Sequence, residues 1–94
     1  MLEITNLLSE VQILEIDCSI YLFGSYLYSE NWADIDVLII YKNYQDISMV
    51  KEVFSKTLFN TPLDLNFMTK EEEKIYNFIN RTNAQKIFPL HLGD

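Results

Sequence analysis

The sequence predicts an α/β fold, a sandwich in which helices flank a small mixed sheet. Short apolar segments with the composition or alternation of strands are interleaved with longer segments whose apolar residues recur every three or four positions. The predicted strands are about 19–23, 35–41 and 63–68, and the predicted helices are about 3–14, 46–58 and 70–81. Because 94 residues with 49% hydrophobic content suffice for one core, we expect a single domain over residues 1–94.

The first elements follow from local patterns. Apolar residues from Ile4 to Leu14 have helical spacing, which predicts an amphipathic first helix. The run SIYLF is typical of a buried strand and ends at Gly24, a turn residue, after which we expect a short helix over 26–30. The second strand, 35–41, is mostly apolar, so both of its faces should be covered.

The two later helices carry recognisable start signals. Helix 46–58 has Asp46 as a candidate N-cap, and its apolar residues fall on one face. Those apolar residues are Ile47, Val50, Phe54 and Leu58. Thr69 followed three residues later by Glu72 is a capping-box pattern, which predicts that helix 70–81 begins at this point.

The segment PLDLNFM has the two-residue alternation of a third strand. Leu63, Leu65 and Phe67 alternate with Asp64 and Asn66. The two polar side chains should therefore share the face of the strand opposite to the apolar ones.

The tail and two single residues suggest no chemistry of their own. In segment 83–94, Pro89 interrupts what is otherwise a candidate strand, so strand and irregular structure both stay open. His91 is interpreted as a surface residue rather than a catalytic base. Cys18 is interpreted as a small core residue.

Composition excludes several function classes. A net charge of −7 disfavours autonomous binding of long nucleic acids, although a nucleotide whose charge is neutralised by metal ions remains possible. No apolar run approaches the roughly 20 residues of a membrane span, so no membrane association is expected. A single cysteine excludes an internal disulfide, and the first residues lack a signal-peptide pattern, which favours the cytoplasm.

Two acidic residues at the start of the second strand suggest a metal site. Residues two apart on a strand point to the same face with about 6.5–7 Å between their Cα atoms, so Asp34 and Asp36 can converge on one or two ions. Asp64 joins them if the second and third strands are neighbours. Mutual repulsion among three carboxylates would be relieved by a cation, and Mg²⁺ completed by water and substrate phosphates fits this set better than Ca²⁺ or Zn²⁺.

Gly24 and Ser25 suggest a phosphate-binding turn. Glycine lets a phosphate approach the backbone closely, and serine adds a hydroxyl donor. Taken alone, each feature has an ordinary explanation: a turn for this pair, a solvated strand start for Asp34 and Asp36, and an exposed polar position for Asp64. Their combination in this order favours a functional site.

The sequence resembles the nucleotidyltransferase superfamily that includes DNA polymerase beta. That pattern is a hydrophobic residue before Gly-Ser, a spacer, an acid-hydrophobic-acid triplet and a third acid on a later strand. The matching segments are Phe23-Gly24-Ser25, Asp34-Ile35-Asp36 and Leu63-Asp64-Leu65. The resemblance spans about residues 4 to 80, and the chain length is that of the minimal nucleotidyltransferases. It implies a nucleotidyltransferase-like sandwich.

The resemblance also implies roles for the site residues. Asp34 and Asp36 would bind both ions of a two-metal Mg²⁺ site, and Asp64 would bind the catalytic ion and orient the attacking hydroxyl. Gly24 and Ser25 would hold the β- and γ-phosphates of the nucleoside triphosphate, with ATP expected.

The loop after Gly-Ser departs from the family pattern. Minimal nucleotidyltransferases commonly have a basic residue and a glycine there, whereas this chain has Tyr26, Leu27, Tyr28 and Ser29. Lys42 and Lys70 are candidate replacements and are equally explained as surface lysines.

Two functions stay open. The first is a Mg²⁺-dependent nucleotidyltransferase that moves AMP from ATP to a hydroxyl of a partner protein. By analogy with minimal members, that protein adenylyltransferase would be the antitoxin of a HEPN-type toxin. The second is a catalytically degenerate module that neutralises or scaffolds its partner by binding. For the latter, Tyr26, Tyr28 and Trp32 form either an interaction patch or a packed lid over the sheet.

Overall fold

A computed structural model describes residues 2–31 and 33–89, and it confirms the predicted α/β class. In chain order the elements are α1 (Leu2–Ile13), β1 (Cys18–Phe23), α2 (Ser25–Tyr28), β2 (Ile35–Tyr41), α3 (Asp46–Thr57), β3 (Leu63–Met68), α4 (Lys70–Tyr76), α5 (Phe78–Thr82) and β4 (Gln85–Phe88). None of the helices in the described part of the chain combines the length and hydropathy that a membrane span requires.

The four strands form one mixed sheet in the order β3-β2-β1-β4. β1 is antiparallel to both of its neighbours, β2 and β4, whereas β2 and β3 are parallel. A parallel pair needs a crossover, and α3 supplies it between β2 and β3. β2 therefore lies inside the sheet, which agrees with its apolar sequence.

One face of the sheet carries the main core under α1 and α3. Alternation along β1 and β2 directs every second side chain to this face, where the two helices pack against each other and against the strands. The buried residues of this layer are Ile4, Leu7, Val11, Ile16, Cys18, Ile20, Leu22, Ile35, Val37, Ile39, Val50, Val53, Phe54 and Leu58.

The opposite face is covered in part by α4 and α5. Leu38 is fully buried there, and the rings of Phe23 on β1 and Phe78 on α5 meet edge to face with their centroids 4.9 Å apart. Asp36 and Asp64 occupy the same face, because Asp36 alternates with the core residues Ile35 and Val37. The two acids thus lie on the face of the sheet that helices cover only in part.

The single helix predicted over 70–81 is wrong, because the chain forms two helices there. Asn77 adopts the left-handed conformation with φ 52° and ends α4. Asparagine tolerates this region better than most residues. A carboxylate oxygen of Glu73 then accepts a hydrogen bond from the backbone N–H of Ile79 at 3.0 Å, which stabilises the start of α5. The capping box of Thr69 and Glu72 is confirmed at the start of α4.

Other boundaries differ by a residue or two. Asp46 is the first residue of α3 and Gln45 holds the N-cap position, so the predicted cap is wrong and the acidic side chain acts in the first turn instead. α2 begins at Ser25 rather than at 26. For the tail, strand and irregular structure were both open, and residues Gln85–Phe88 form strand β4, which pairs with β1. Trp32 and His91 lie outside the described residues.

Cys18 occupies the core, as predicted. Burial is the main cause that raises its pKa to about 11, and the negative charges of Asp46 and Asp17 add to the effect. The thiol therefore stays protonated at neutral pH and behaves as a small apolar side chain.

Replacement of Phe54 tests the core that lies between the sheet and helices α1 and α3. Its side chain is 1% exposed, so Phe54→Ala should lower the free energy of unfolding by about 3–5 kcal/mol through lost burial and a residual cavity. Urea unfolding followed by circular dichroism measures the change.

Phe59 is the matched control, because it is the same residue type and is 76% exposed. Phe59→Ala should change stability by no more than about 0.5 kcal/mol. Phe54→Leu keeps most of the volume and should remain folded if Phe54→Ala does not. Equal effects of the two alanine variants would contradict the described core.

Candidate active site

The register of β2 and β3 places two carboxylates side by side. Asp36 and Asp64 are direct partners in the parallel pair. A hydrogen bond from the backbone N–H of Ile35 to the carbonyl of Pro62, at 3.0 Å, aligns the starts of the two strands. Asn66 extends this alignment, since its side-chain amide donates to the carbonyls of Val37 and of Asp64 at 3.2 and 3.4 Å. The expectation that the third strand brings its acid to the second is confirmed.

Gly24 lies directly against the carboxylate of Asp36. Phe23 is the β1 partner of Asp36, so the turn that follows β1 stands next to it. The backbone of Gly24 has φ 80° and ψ −163°, a region that essentially only glycine adopts. A Cβ at this position would overlap Oδ2 of Asp36 and approach its Cγ to 3.1 Å. Backbone conformation and contact thus both require glycine here.

Asp34 lies outside β2 and acts on the site through its negative charge. β2 begins at Ile35, so Asp34 lies in the preceding bend and is half-buried. The pKa of Asp36 is raised above the ordinary 3.8, first by burial and then by the charges of Asp64 and Asp34. A side-chain hydrogen bond to Asp64 adds to the shift, because protonated Asp36 donates it. The three predicted acids therefore interact within one site.

The donor chemistry of this site fits a hard divalent cation. The charges of Asp64 and Asp34 contribute to the raised pKa of Asp36, so the site concentrates negative charge that a cation would stabilise. Among residues 2–31 and 33–89, no three Asp, Glu, His or Cys side chains form a ready-made metal cage. Mg²⁺ is commonly held by one or two carboxylates together with water and substrate phosphates, which matches the pair Asp36 and Asp64.

The Gly24-Ser25 turn opens a single helical turn that borders the acids. Ser25 is exposed and begins α2, whose last amides bond back to Gly24 and Ser25. The hydroxyl of Tyr28 donates to the carbonyl of Asn83 at 3.3 Å, which links α2 to the chain just after α5. The Gly-Ser turn therefore borders the acidic site through Gly24, and Tyr28 ties it to the chain that follows α5.

The aromatic loop divides into different environments. Tyr26 is half-buried and packs against the core, as a lid residue would, whereas Tyr28 is exposed. Trp32, the third member of the predicted patch, lies outside the described residues.

Sequence reasoning missed the residues that support the acids. The alternation predicted that Asn66 shares the face of Asp64, but not that its amide would donate to backbone carbonyls of both β2 and β3. The contact of Phe78 with Phe23 had no local signal, because it depends on how α5 returns over the sheet. Lys42 and Lys70, the candidate replacements for a basic loop residue, line a cavity at the other end of the sheet instead.

Replacing Gly24 should damage both stability and the site. We expect Gly24→Ala to lower the free energy of unfolding by about 1–3 kcal/mol from backbone strain alone. Displacement of the Asp36 carboxylate adds to this loss. Thermal unfolding measures the total.

A double-mutant cycle separates the two causes. In an Asp36→Ala background no carboxylate meets the new Cβ, so the loss caused by Gly24→Ala should shrink while the backbone part remains. Ser25→Ala is the neighbouring control and should leave the melting temperature unchanged. A Gly24→Ala protein as stable as the wild type would show that the turn is different in solution.

Asp36 should make stability depend on pH when metal is absent. Its folded-state pKa lies above the unfolded value, so the folded protein binds the proton more tightly. Its contribution to stability is full at low pH and is lost as pH rises from the ordinary 3.8 through the raised pKa. Asn at position 36 cannot ionise, so the Asp36→Asn variant should not lose stability as the pH rises. Its free energy of unfolding should therefore exceed that of the wild type once the pH is above the raised pKa of Asp36.

Urea unfolding with EDTA at several pH values up to neutrality measures the difference. Glu30→Gln, an exposed change of equal charge, is the control and should follow the wild type at every pH. If Asp36→Asn also runs parallel to the wild type, the carboxylates do not interact as described.

Comparison with known families is decisive for the fold. The family model described as Polymerase beta, Nucleotidyltransferase matches residues 3–87, which is most of the chain. Comparison with curated proteins gives no significant match. The matched span includes the Gly-Ser turn and all three acids. The chain therefore belongs to the nucleotidyltransferases of the DNA polymerase beta type.

Proposed function

We propose that the protein is a Mg²⁺-dependent nucleotidyltransferase that moves AMP from ATP to a hydroxyl of a partner protein. One observation carries the proposal: Asp36 and Asp64 are paired across parallel strands, and the Gly24 backbone lies against the Asp36 carboxylate. Acids that can hold a cation are thus next to a turn that can accept a phosphate. Membership of the family supports nucleotidyl transfer as the reaction.

The chain's own residues suit the individual steps. The Gly24-Ser25 turn would bind the β- and γ-phosphates, using the backbone of Gly24, which has no side chain of its own, and the hydroxyl of the exposed Ser25. Asp34, Asp36 and Asp64 would hold the metal, and bound Mg²⁺ would neutralise charge on the phosphate oxygens. Asp64, which is exposed on the outer strand β3, would also accept a hydrogen bond from an incoming hydroxyl.

The reaction balances with these groups. The acceptor oxygen attacks the α-phosphorus of ATP, and the bond from that phosphorus to the oxygen bridging the β-phosphate breaks, so pyrophosphate leaves. The proton of the hydroxyl passes to Asp64 and then to solvent. Fixing the hydroxyl near the α-phosphorus is worth up to roughly 7–11 kcal/mol of barrier, so the surface that presents the acceptor matters as much as the acids.

A protein acceptor fits the charge of the chain. The net charge of −7 repels a nucleic-acid acceptor, whereas a basic protein would be attracted. The exposed Tyr28 stands at the Gly-Ser helix, where such a partner would dock. By analogy with minimal nucleotidyltransferases, the partner we propose is a HEPN-type toxin in the same cytoplasm, modified on a Tyr, Ser or Thr hydroxyl.

Transfer of labelled AMP tests the proposal. Incubation of the protein with α-labelled ATP, Mg²⁺ and the product of the adjacent gene should label that product. Asp34→Asn, Asp36→Asn and Asp64→Asn should each lower the rate at least about 100-fold, the scale of losing one preorganised electrostatic contact. Peptide mass spectrometry locates the modified hydroxyl.

Glu30→Gln is the charge-matched control and should transfer at the wild-type rate. Calorimetric titration with ATP, in Mg²⁺ and then in EDTA, checks the nucleotide site separately, and equal binding in both would count against a metal-dependent site. A stable, unlabelled complex that still silences the partner in Asp34→Asn would identify a binding module instead.

A further inference from the structure

A cavity of about 460 Å³ lies on the same sheet face as the acids but at the other end of the strands. Its floor includes Ser19 and Tyr21 of β1 and Ile40 of β2, and α4 and α5 contribute its wall. Ile40 is four residues beyond Asp36 on the same face, so the cavity is displaced from the acids by about 13 Å along the strand. Its volume is within the usual range of small-molecule sites.

Basic side chains are concentrated around this cavity. Lys42, Lys70 and Lys86 line it, three of the seven basic residues in a strongly acidic chain. Lys70 begins α4, Lys86 lies in β4 and Lys42 directly follows β2, so the fold gathers them from distant parts of the sequence. Such a grouping offers several ammonium donors to an anion that enters the cavity.

Two acidic residues also line the cavity, and one of them is ion-paired while the other keeps its charge beside Tyr21. Asp17 forms an exposed ion pair with Lys42 at 3.3 Å, and Glu73 accepts the backbone N–H of Ile79 at 3.0 Å. Within the part of the chain that the structure describes, neither Lys70 nor Lys86 has an ion-pair partner. An exposed pair like that of Lys42 is weak, so an incoming anion can compete for it.

Hydroxyl groups and apolar walls complete the lining. Burial, and then the charge of Glu73, raise the pKa of Tyr21, so its phenol stays a hydrogen-bond donor at neutral pH. Ser19 supplies a second hydroxyl, while Ile40 and Ile79 offer apolar contact. Lysines with hydroxyl donors recognise phosphate, and the apolar walls accommodate an organic group beside it.

We propose that this cavity binds a small organic phosphate monoester, with the phosphate at Lys70 and Lys86 and the organic group against Tyr21, Ile40 and Ile79. The site is separate from the acids and needs no metal. The proposed binding therefore does not depend on the proposed transferase activity.

Amide chemical-shift mapping with AMP in EDTA tests the proposal. AMP should shift the amides of Ser19, Tyr21 and Lys86 in a saturable way and leave those of Gly24 and Ser25 in place. Inorganic phosphate should shift the same amides more weakly, and adenosine should not. Saturable shifts with adenosine equal to those with AMP, shifts confined to Gly24 and Ser25, or no shifts at all would overturn it.

Variants assign the effect to the lysines. Lys70→Ala combined with Lys86→Ala should weaken AMP binding about tenfold or more, the scale of losing a charge-assisted hydrogen bond. The control is Lys74→Ala, an exposed lysine of α4 that does not line the cavity, and it should bind as the wild type does. Lys70→Gln and Lys86→Gln, made singly, replace the double variant if it does not fold.

Asp36→Asn should bind AMP in EDTA with wild-type affinity, which separates this cavity from the acidic site. Equal weakening by Lys74→Ala and by the cavity variants would reduce the effect to general charge and overturn the assignment. So would loss of binding in Asp36→Asn.

Discussion

The pairing of Asp36 with Asp64 is the constraint on which the site depends. Two unit charges about 4 Å apart at an effective dielectric constant near 20 repel by about 4 kcal/mol, so the acids oppose the strand pairing that holds them. The opposing force lies on the other face, where Ile35, Val37 and Ile39 of β2 are buried in the core. Burial of an aliphatic side chain contributes about 1.5–3 kcal/mol, so these three residues outweigh the repulsion. The stability of one face thus permits the chemistry of the other.

Much of this arrangement was predictable because it depends on the local pattern of apolar and polar residues along each strand. The alternation in LDLNFM fixed the face of Asp64, and the apolar run of β2 indicated a strand inside the sheet. The parallel pairing of the two strands was not predictable from spacing, since it depends on the α3 crossover. That the three acids share one site was implied by the resemblance to the nucleotidyltransferase pattern.

The error over residues 70–81 has a different physical cause. Asn77 interrupts the helical pattern with a backbone conformation whose partner, the Glu73 carboxylate, acts on a residue six positions ahead. This medium-range contact outweighed a local helical preference of a few tenths of a kcal/mol per residue. The gathering of lysines from three elements was likewise invisible along the chain.

The crossover through α3 has a consequence for when the protein acquires its site. Asp36 and Asp64 are 28 residues apart in sequence, and the strands that carry them are joined by the α3 crossover. A chain that has folded only its β1–β2 hairpin has the Gly24 turn without the second partner acid. Parallel pairing is slow because its loop must close before contacts form. A nucleotide and a metal that bind at the proposed site would therefore require the completed fold, and by mass action they would hold a newly made chain in that state.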